Sequence, residues 1–178
     1  MNTDNLSEKE NAEEFGDEAI LKEKYADIYE KMKIVETDES DEEIEYLVPS
    51  PEEKAISMKL ALECAEIGDS MRAQDIKVID ATGKTSLADF FVFMTGYNKR
   101  QIQGIAIEIE NTMKHKKVPI AGIEGYDIAW WILVDLNQVI VHIFYDEARK
   151  YYELDTLWQD APDVYSHNED ISSENEEK

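Results

Sequence analysis

Gly83-Lys84-Thr85 follows a β-branched run, and in a phosphate-binding loop such a tripeptide gathers phosphate oxygens on backbone N–H groups and a lysine. That loop also needs a glycine five positions before Gly83, where this chain has Val78, and it must open a helix. Here it leads into a second strand-like run, so the tripeptide reads as a polar connection between strands. Metal-assisted transfer needs carboxylates that converge on one point. Glu108 and Glu110, two apart on a helical stretch, point to different sides, and the other dense acid pairs lie in the termini. The three histidines fall in a helix end (His115), a strand (His142) and a tail (His167), without ligand spacing. The single cysteine, Cys64, excludes an intrachain disulfide and any multi-cysteine metal site, and reads as a small apolar helix residue. No Ser, His and Asp set stands out. The residues therefore predict no catalytic set, no metal and no cofactor, with His142 kept in view for its surroundings.

Those surroundings are the stretch Trp130–Tyr145, two runs rich in β-branched and aromatic residues around a polar break. It reads as a β-hairpin with Leu136-Asn137 as its two-residue loop, asparagine being a side chain that tolerates positive φ. Pairing Asp135 with Gln138 places Trp131 opposite His142 and Leu133 opposite Ile140, and opposed residues share a face. One face is then wholly apolar: Trp130, Ile132, Val134, Val139, Val141 and Ile143. The other carries Trp131, Leu133, Asp135, Ile140, His142 and Phe144, with a carboxylate and an imidazole that a closed core would have to satisfy. The first face is expected to pack on helices and the second to meet a partner.

The elements around the hairpin carry their own signals. Ser50-Pro51-Glu52-Glu53 is a capping box with proline at the first helical position, opening a helix to about Arg72 with the stripe Ile56, Leu60, Cys64, Ile67 and Met71. Strands follow at Ile76–Asp80 and Phe90–Thr95. Asn98 caps a helix marked by Ile102, Ile105, Ile109 and Met113, which ends in Lys114, Lys116 and Lys117 where cations suit the helix dipole. A short strand near Ile120–Ile123, the hairpin and a terminal helix from about Glu147 to Trp158 complete an α/β domain over 51–160, with a mixed sheet of about five strands flanked by helices.

The net charge of −23 belongs to the ends: residues 1–52 hold 18 acids against 5 bases, residues 53–158 hold 16 against 12, and residues 159–178 hold 7 against 1. Residues 1–50 read as a largely disordered acidic extension and 161–178 as an acidic tail. Within the extension Leu21, Tyr25, Ile28, Met32 and Val35 keep a helical period, so an amphipathic helix is expected over 17–35, packing on the domain or on a partner. A near-neutral middle lacks the clustered Lys and Arg of a nucleic-acid grip. No run reaches the roughly 18 apolar residues of a membrane span, and the start has no leader character, so the cytoplasm is the expected compartment.

The ordered series Ser86-Leu87-Ala88-Asp89-Phe90-Phe91-Val92, Thr95-Gly96, Arg100-Gln101, Glu124-Gly125, Trp131-Ile132-Leu133-Val134-Asp135, Val139–Phe144 and Glu147–Trp158 resembles the Iojap or ribosomal silencing factor family (RsfS) over about residues 53–160. The resemblance implies a nucleotidyltransferase-like fold put to non-enzymatic use. Its members bind the fourteenth protein of the large ribosomal subunit and block joining of the small subunit, silencing translation when nutrients are short. The alternative in another class is a metal-dependent nucleotidyltransferase. The tryptophan before the Ile-Leu-Val-Asp strand lies on the docking side in the family and falls on Trp131 here, the residue that strand parity also places outside the helix-packed face. The expected partner-binding set is Trp131, Leu133, Asp135, His142, Phe144 and Glu124, with homodimerisation of the free chain left open. The chain departs from the family pattern in having Asn98 for a serine, Asn137 and Lys117 for glycines, Trp130 for a smaller or polar residue, and the long acidic extension.

Overall fold

A computed structural model of the chain describes residues 15, 16, 18–33 and 47–167. In order they form α1 (Glu18–Lys33), α2 (Pro51–Ser70), β1 (Gln74–Asp80), β2 (Phe90–Gly96), α3 (Lys99–His115), β3 (Gly122–Glu124), β4 (Trp131–Asp135), β5 (Val139–Tyr145), α4 (Asp146–Tyr152), a 3₁₀ turn (Leu154–Trp158) and β6 (Asp163–His167). Val35, the last member of the predicted N-terminal stripe, lies outside the described residues. None of the helices described is long and apolar enough to cross a membrane.

The strands make one mixed sheet in the order β3-β4-β5-β2-β1-β6, six strands where the sequence predicts about five. Among the described residues only the central β2–β5 pair is parallel. The additional strand lies beyond residue 160, in a segment whose acidic composition predicts a tail. Two apolar residues, Val164 and Tyr165, are too short an alternation to announce a strand, yet both pack against the core while β6 pairs antiparallel with β1.

Both helix starts follow their capping signals. Ser50 Oγ accepts from Glu53 N–H at 3.3 Å while Glu53 Oε2 accepts from Ser50 N–H at 2.9 Å, and Asn98 Oδ1 accepts from Gln101 N–H at 2.9 Å. Their ends use left-handed residues other than glycine. Arg72 (φ 61°) and Lys117 (φ 58°) each sit just past a helix. Ala73 N–H returns to Gly68 O and Val118 N–H to Met113 O, both at 2.9 Å, the Schellman arrangement.

The two helices cover one face of the sheet. From α3 the predicted stripe Ile102, Ile105, Ile109 and Met113 is buried. The stripe of α2 is rotated from the prediction: Ser57, Ala61, Cys64, Ala65 and Gly68 are innermost, while Ile56 is 69% exposed. Small residues win because the sheet presents large ones; a Cβ on Gly68 would stand 2.8 Å from Met94 Sδ. Opposite them lie Ile76, Val78, Phe90, Val92, Ile132, Val134, Val139, Val141 and Ile143.

In the hairpin, Asp135 pairs with Ile140 and Trp131 with Phe144, a register two residues from the predicted one. The loop is Asn137-Gln138, not Leu136-Asn137. Asn137 takes φ 68°, and Asp135 Oδ1 accepts its N–H at 2.8 Å, which fixes the turn one residue later. A slip of two preserves parity, so Ile132, Val134, Val139, Val141 and Ile143 keep their predicted face. Trp130 does not: Ala129 has φ 61°, which breaks the alternation before the strand begins, and Trp130 joins the opposite cluster.

Candidate docking face of the sheet

The second face of the sheet is aromatic. Phe91 and Phe93 of β2, Trp131 and Leu133 of β4, and Ile140, His142 and Phe144 of β5 form one buried cluster. The parallel register sets Phe93 beside His142, and the two rings stack at 5.0 Å and 10°. Phe144 stacks on Trp131 at 5.1 Å. A sequence reading centred on the hairpin misses Phe91 and Phe93; the alternation within Phe90–Met94 was the signal that could have found them.

This face is not open, contrary to the expectation that it would meet a partner directly. Helix α4, the 3₁₀ turn and α1 all lie on it. Glu153, left-handed at φ 44°, splits the predicted terminal helix into α4 and the 3₁₀ turn, and Tyr152, Leu154 and Trp158 turn onto the sheet together. Arg149 ties this segment down: Nη1 donates to Asp75 O at 2.6 Å and Thr95 Oγ1 at 2.9 Å, and Nη2 pairs with Asp155 Oδ2 at 3.1 Å. From α1, Leu21, Tyr25 and Met32 are buried on the same cluster, with Phe15 ahead of the helix. The amphipathic period is thus spent on the domain itself.

The polar groups that argued against a closed core are answered locally, the Asp135 carboxylate by the turn and the His142 imidazole on one of its two nitrogens. Trp131 Nε1–H donates to His142 Nδ1 at 3.2 Å, so in the neutral ring the proton sits on Nε2, which is buried with no hydrogen-bond partner among the described residues. Burial, with the Arg149 charge adding to it, holds the His142 pKa down to about 3. An imidazole so depressed is neutral at ordinary pH and serves as the acceptor that orients Trp131. Asp135 spends its carboxylate on the turn.

The expected set is therefore divided. Trp131, Leu133, His142 and Phe144 come together in the cluster, all less than 5% exposed. Glu124 is exposed on the edge strand β3, opposite Leu133 and hence on the same face of the sheet. Asp135 lies at the hairpin end, half-buried.

Gly125 joins the edge strand to Trp131. Its φ is 78°, and a Cβ there would stand 2.1 Å from Trp131 O. Tyr25 closes the same spot from outside, its ring stacked on Trp131 at 6.0 Å and its hydroxyl donating to Gly125 O at 3.3 Å. Burial pushes the Tyr25 pKa up to about 12. Tyr152 Oη donates to Lys22 O at 3.5 Å, and Lys22 Nζ lies 4.0 Å over the Tyr151 ring.

Among the described residues no group of three or more His, Cys, Asp or Glu is placed to hold a metal ion. Gly83 and Lys84 lie in an exposed turn between β1 and β2, and Glu110 is paired with Lys114 at 2.6 Å. The second face is thus ring area closed over by the chain's own segments, with Glu124 and Asp135 at its rim.

The family described as "Ribosomal silencing factor during starvation" (RsfS) matches residues 53–178. Ribosomal silencing factor RsfS of Bacillus subtilis is 42% identical over 94 residues, covering 53% of this chain and 80% of that protein. Mouse "Mitochondrial assembly of ribosomal large subunit protein 1" is 33% identical over 89 residues, 48% of this chain and 39% of that one. A solved protein from Bacillus halodurans is similar with a TM-score of 0.53 at 32% identity, over 62% of this chain and 98% of its own. Another from Chromobacterium violaceum gives 0.53 at 33%, over 58% and 84%. The chain thus belongs to the ribosomal silencing factor family of translation regulators.

Proposed function

We propose that this chain is a non-enzymatic translation repressor that binds the large ribosomal subunit through its fourteenth protein and keeps the small subunit from joining by occupying the space between them. The observation that carries this reading is the aromatic face centred on Trp131, in a chain of the silencing-factor family. Aromatic anchors with a polar rim are what a tight protein contact needs. The mouse relative's name, which refers to the large ribosomal subunit, supports the choice of partner. Trp131, Leu133, His142 and Phe144, covered in the free chain, would supply the anchor once that cover is displaced, with Glu124 and Asp135 at the rim. Inhibition needs no chemistry, only bulk at the subunit interface, and the cytoplasm is where it would act.

The test is co-sedimentation of the full chain with separated subunits, followed by addition of the small subunit. The expected result is association with large subunits alone and fewer joined particles. Glu124→Lys, a change on the exposed edge strand that leaves the core intact, is expected to weaken association about tenfold, or about 1.4 kcal/mol. Absence of association by a folded chain would overturn the reading.

A further inference from the structure

We propose that α1, with Phe15 before it, is an intramolecular lid on the docking face: it occupies the Trp131 site in the free chain and must leave before the partner can bind. This rests on the docking reading above and names how that site is regulated.

The geometry makes the two occupants mutually exclusive. Tyr25 stacks on Trp131 and its hydroxyl takes Gly125 O, so the ring and the edge beside it are already in use. Phe15 covers Trp130 at 5.5 Å and Tyr145 at 4.4 Å. Leu21 and Met32 extend the cover along the helix, and its other side, with Glu23, Lys24, Ala26, Asp27 and Glu30, faces solvent. The segment presents to Trp131 what a partner would have to present: an aromatic ring, aliphatic bulk and one hydroxyl.

The cover is also of a kind that can be lifted. The family match begins at residue 53, and a homologous solved chain is spanned almost entirely by 62% of this one, so the α/β domain is a folding unit for which α1 is an addition. Two hydrogen bonds between α1 and the domain, Tyr25 Oη to Gly125 O at 3.3 Å and Tyr152 Oη to Lys22 O at 3.5 Å, are long. Trp130, in edge contact with Phe15, buries its Nε1 with no hydrogen-bond partner among the described residues. A short helix unstable by itself stays in place only through such contacts.

The experiment compares the full chain with its Leu21→Ser/Tyr25→Ser variant and with Tyr25→Phe, by co-sedimentation with purified large subunits at sub-saturating concentrations. The double variant is expected to bind at least tenfold more tightly. Tyr25→Phe, which removes only the hydroxyl to Gly125, is expected to bind two- to tenfold more tightly, and serves if the double variant loses its fold. Glu23→Ala/Asp27→Ala, on the solvent side of the same helix, is the control and should bind as the full chain does. A synthetic peptide of residues 15–33 added to the double variant should restore weak binding. Equal affinity of all chains overturns the lid and leaves the docking reading standing. Weaker binding by the double variant makes α1 part of the contact and overturns the lid too. If no form binds, the docking reading falls and the lid with it.

Discussion

His142 accepts from the Trp131 indole on one nitrogen and buries the other without a partner among the described residues, so protonating it inside the fold would place a charge where none of them answers it. An unfolded chain takes up this proton near pH 6.5, the folded chain only near 3. Between those values the unfolded state holds more protons, so stability falls as pH is lowered, by up to about 1.4 kcal/mol per unit for this one group. Urea midpoints of the parent and His142→Phe, measured from pH 6.5 down to 5, above the main carboxylate range, are expected to show a steeper acid loss in the parent. Parallel pH profiles would contradict the assignment. Trp131→Ala removes a fully buried ring and is expected to destabilise the chain by about 3–5 kcal/mol in a denaturant titration. Its effect on binding is interpretable only beside that measurement. At this scale the sequence was informative where alternation holds: parity separated Trp131 from Ile132. It failed at Trp130, because a left-handed alanine at 129 leaves no trace in a string of apolar residues.

The elements were legible wherever local chemistry decides. Ser50, Glu53 and Asn98 announced two helix starts, and an asparagine announced the turn. The hairpin register was not, because whether Asn137 is the first or second loop residue depends on the Asp135 carboxylate reaching its N–H. Helix ends were obscure for the opposite reason: lysine and arginine stand where glycine would have signalled the left-handed cap. Lys117→Gly relieves that conformation at some cost in unfolded-chain entropy, and is expected to raise stability by about 0.5–1 kcal/mol, read as a higher urea midpoint. Gly125→Ala should act the other way. Its methyl would collide with Trp131 O, and relief requires moving the start of β4, so a loss of at least about 3 kcal/mol is expected. The same midpoint measurement decides it.

At the scale of the whole molecule the sheet is covered twice, by α2 and α3 on one side and by α4, the 3₁₀ turn and α1 on the other. The period of α1 predicted a helix with one apolar side, but periodicity says only that a side is buried and not against what. Amide exchange should show the difference in attachment. The amides of α1 are expected to exchange at least tenfold faster than those of the central β2 and β5, through openings that leave the sheet intact. Equal protection would make α1 part of one cooperative unit. The chain distance between α1 and its seat sets an order of assembly as well. Tyr25 meets a carbonyl 100 residues downstream, and Lys22 meets Tyr152 at a separation of 130. Synthesis delivers the first helix long before the surface that receives it, and the closure of so long a loop has to await the hairpin and the segment after it. During its own synthesis, then, each copy carries its first helix without a seat for most of the chain, and the aromatic surface is completed with its cover already waiting.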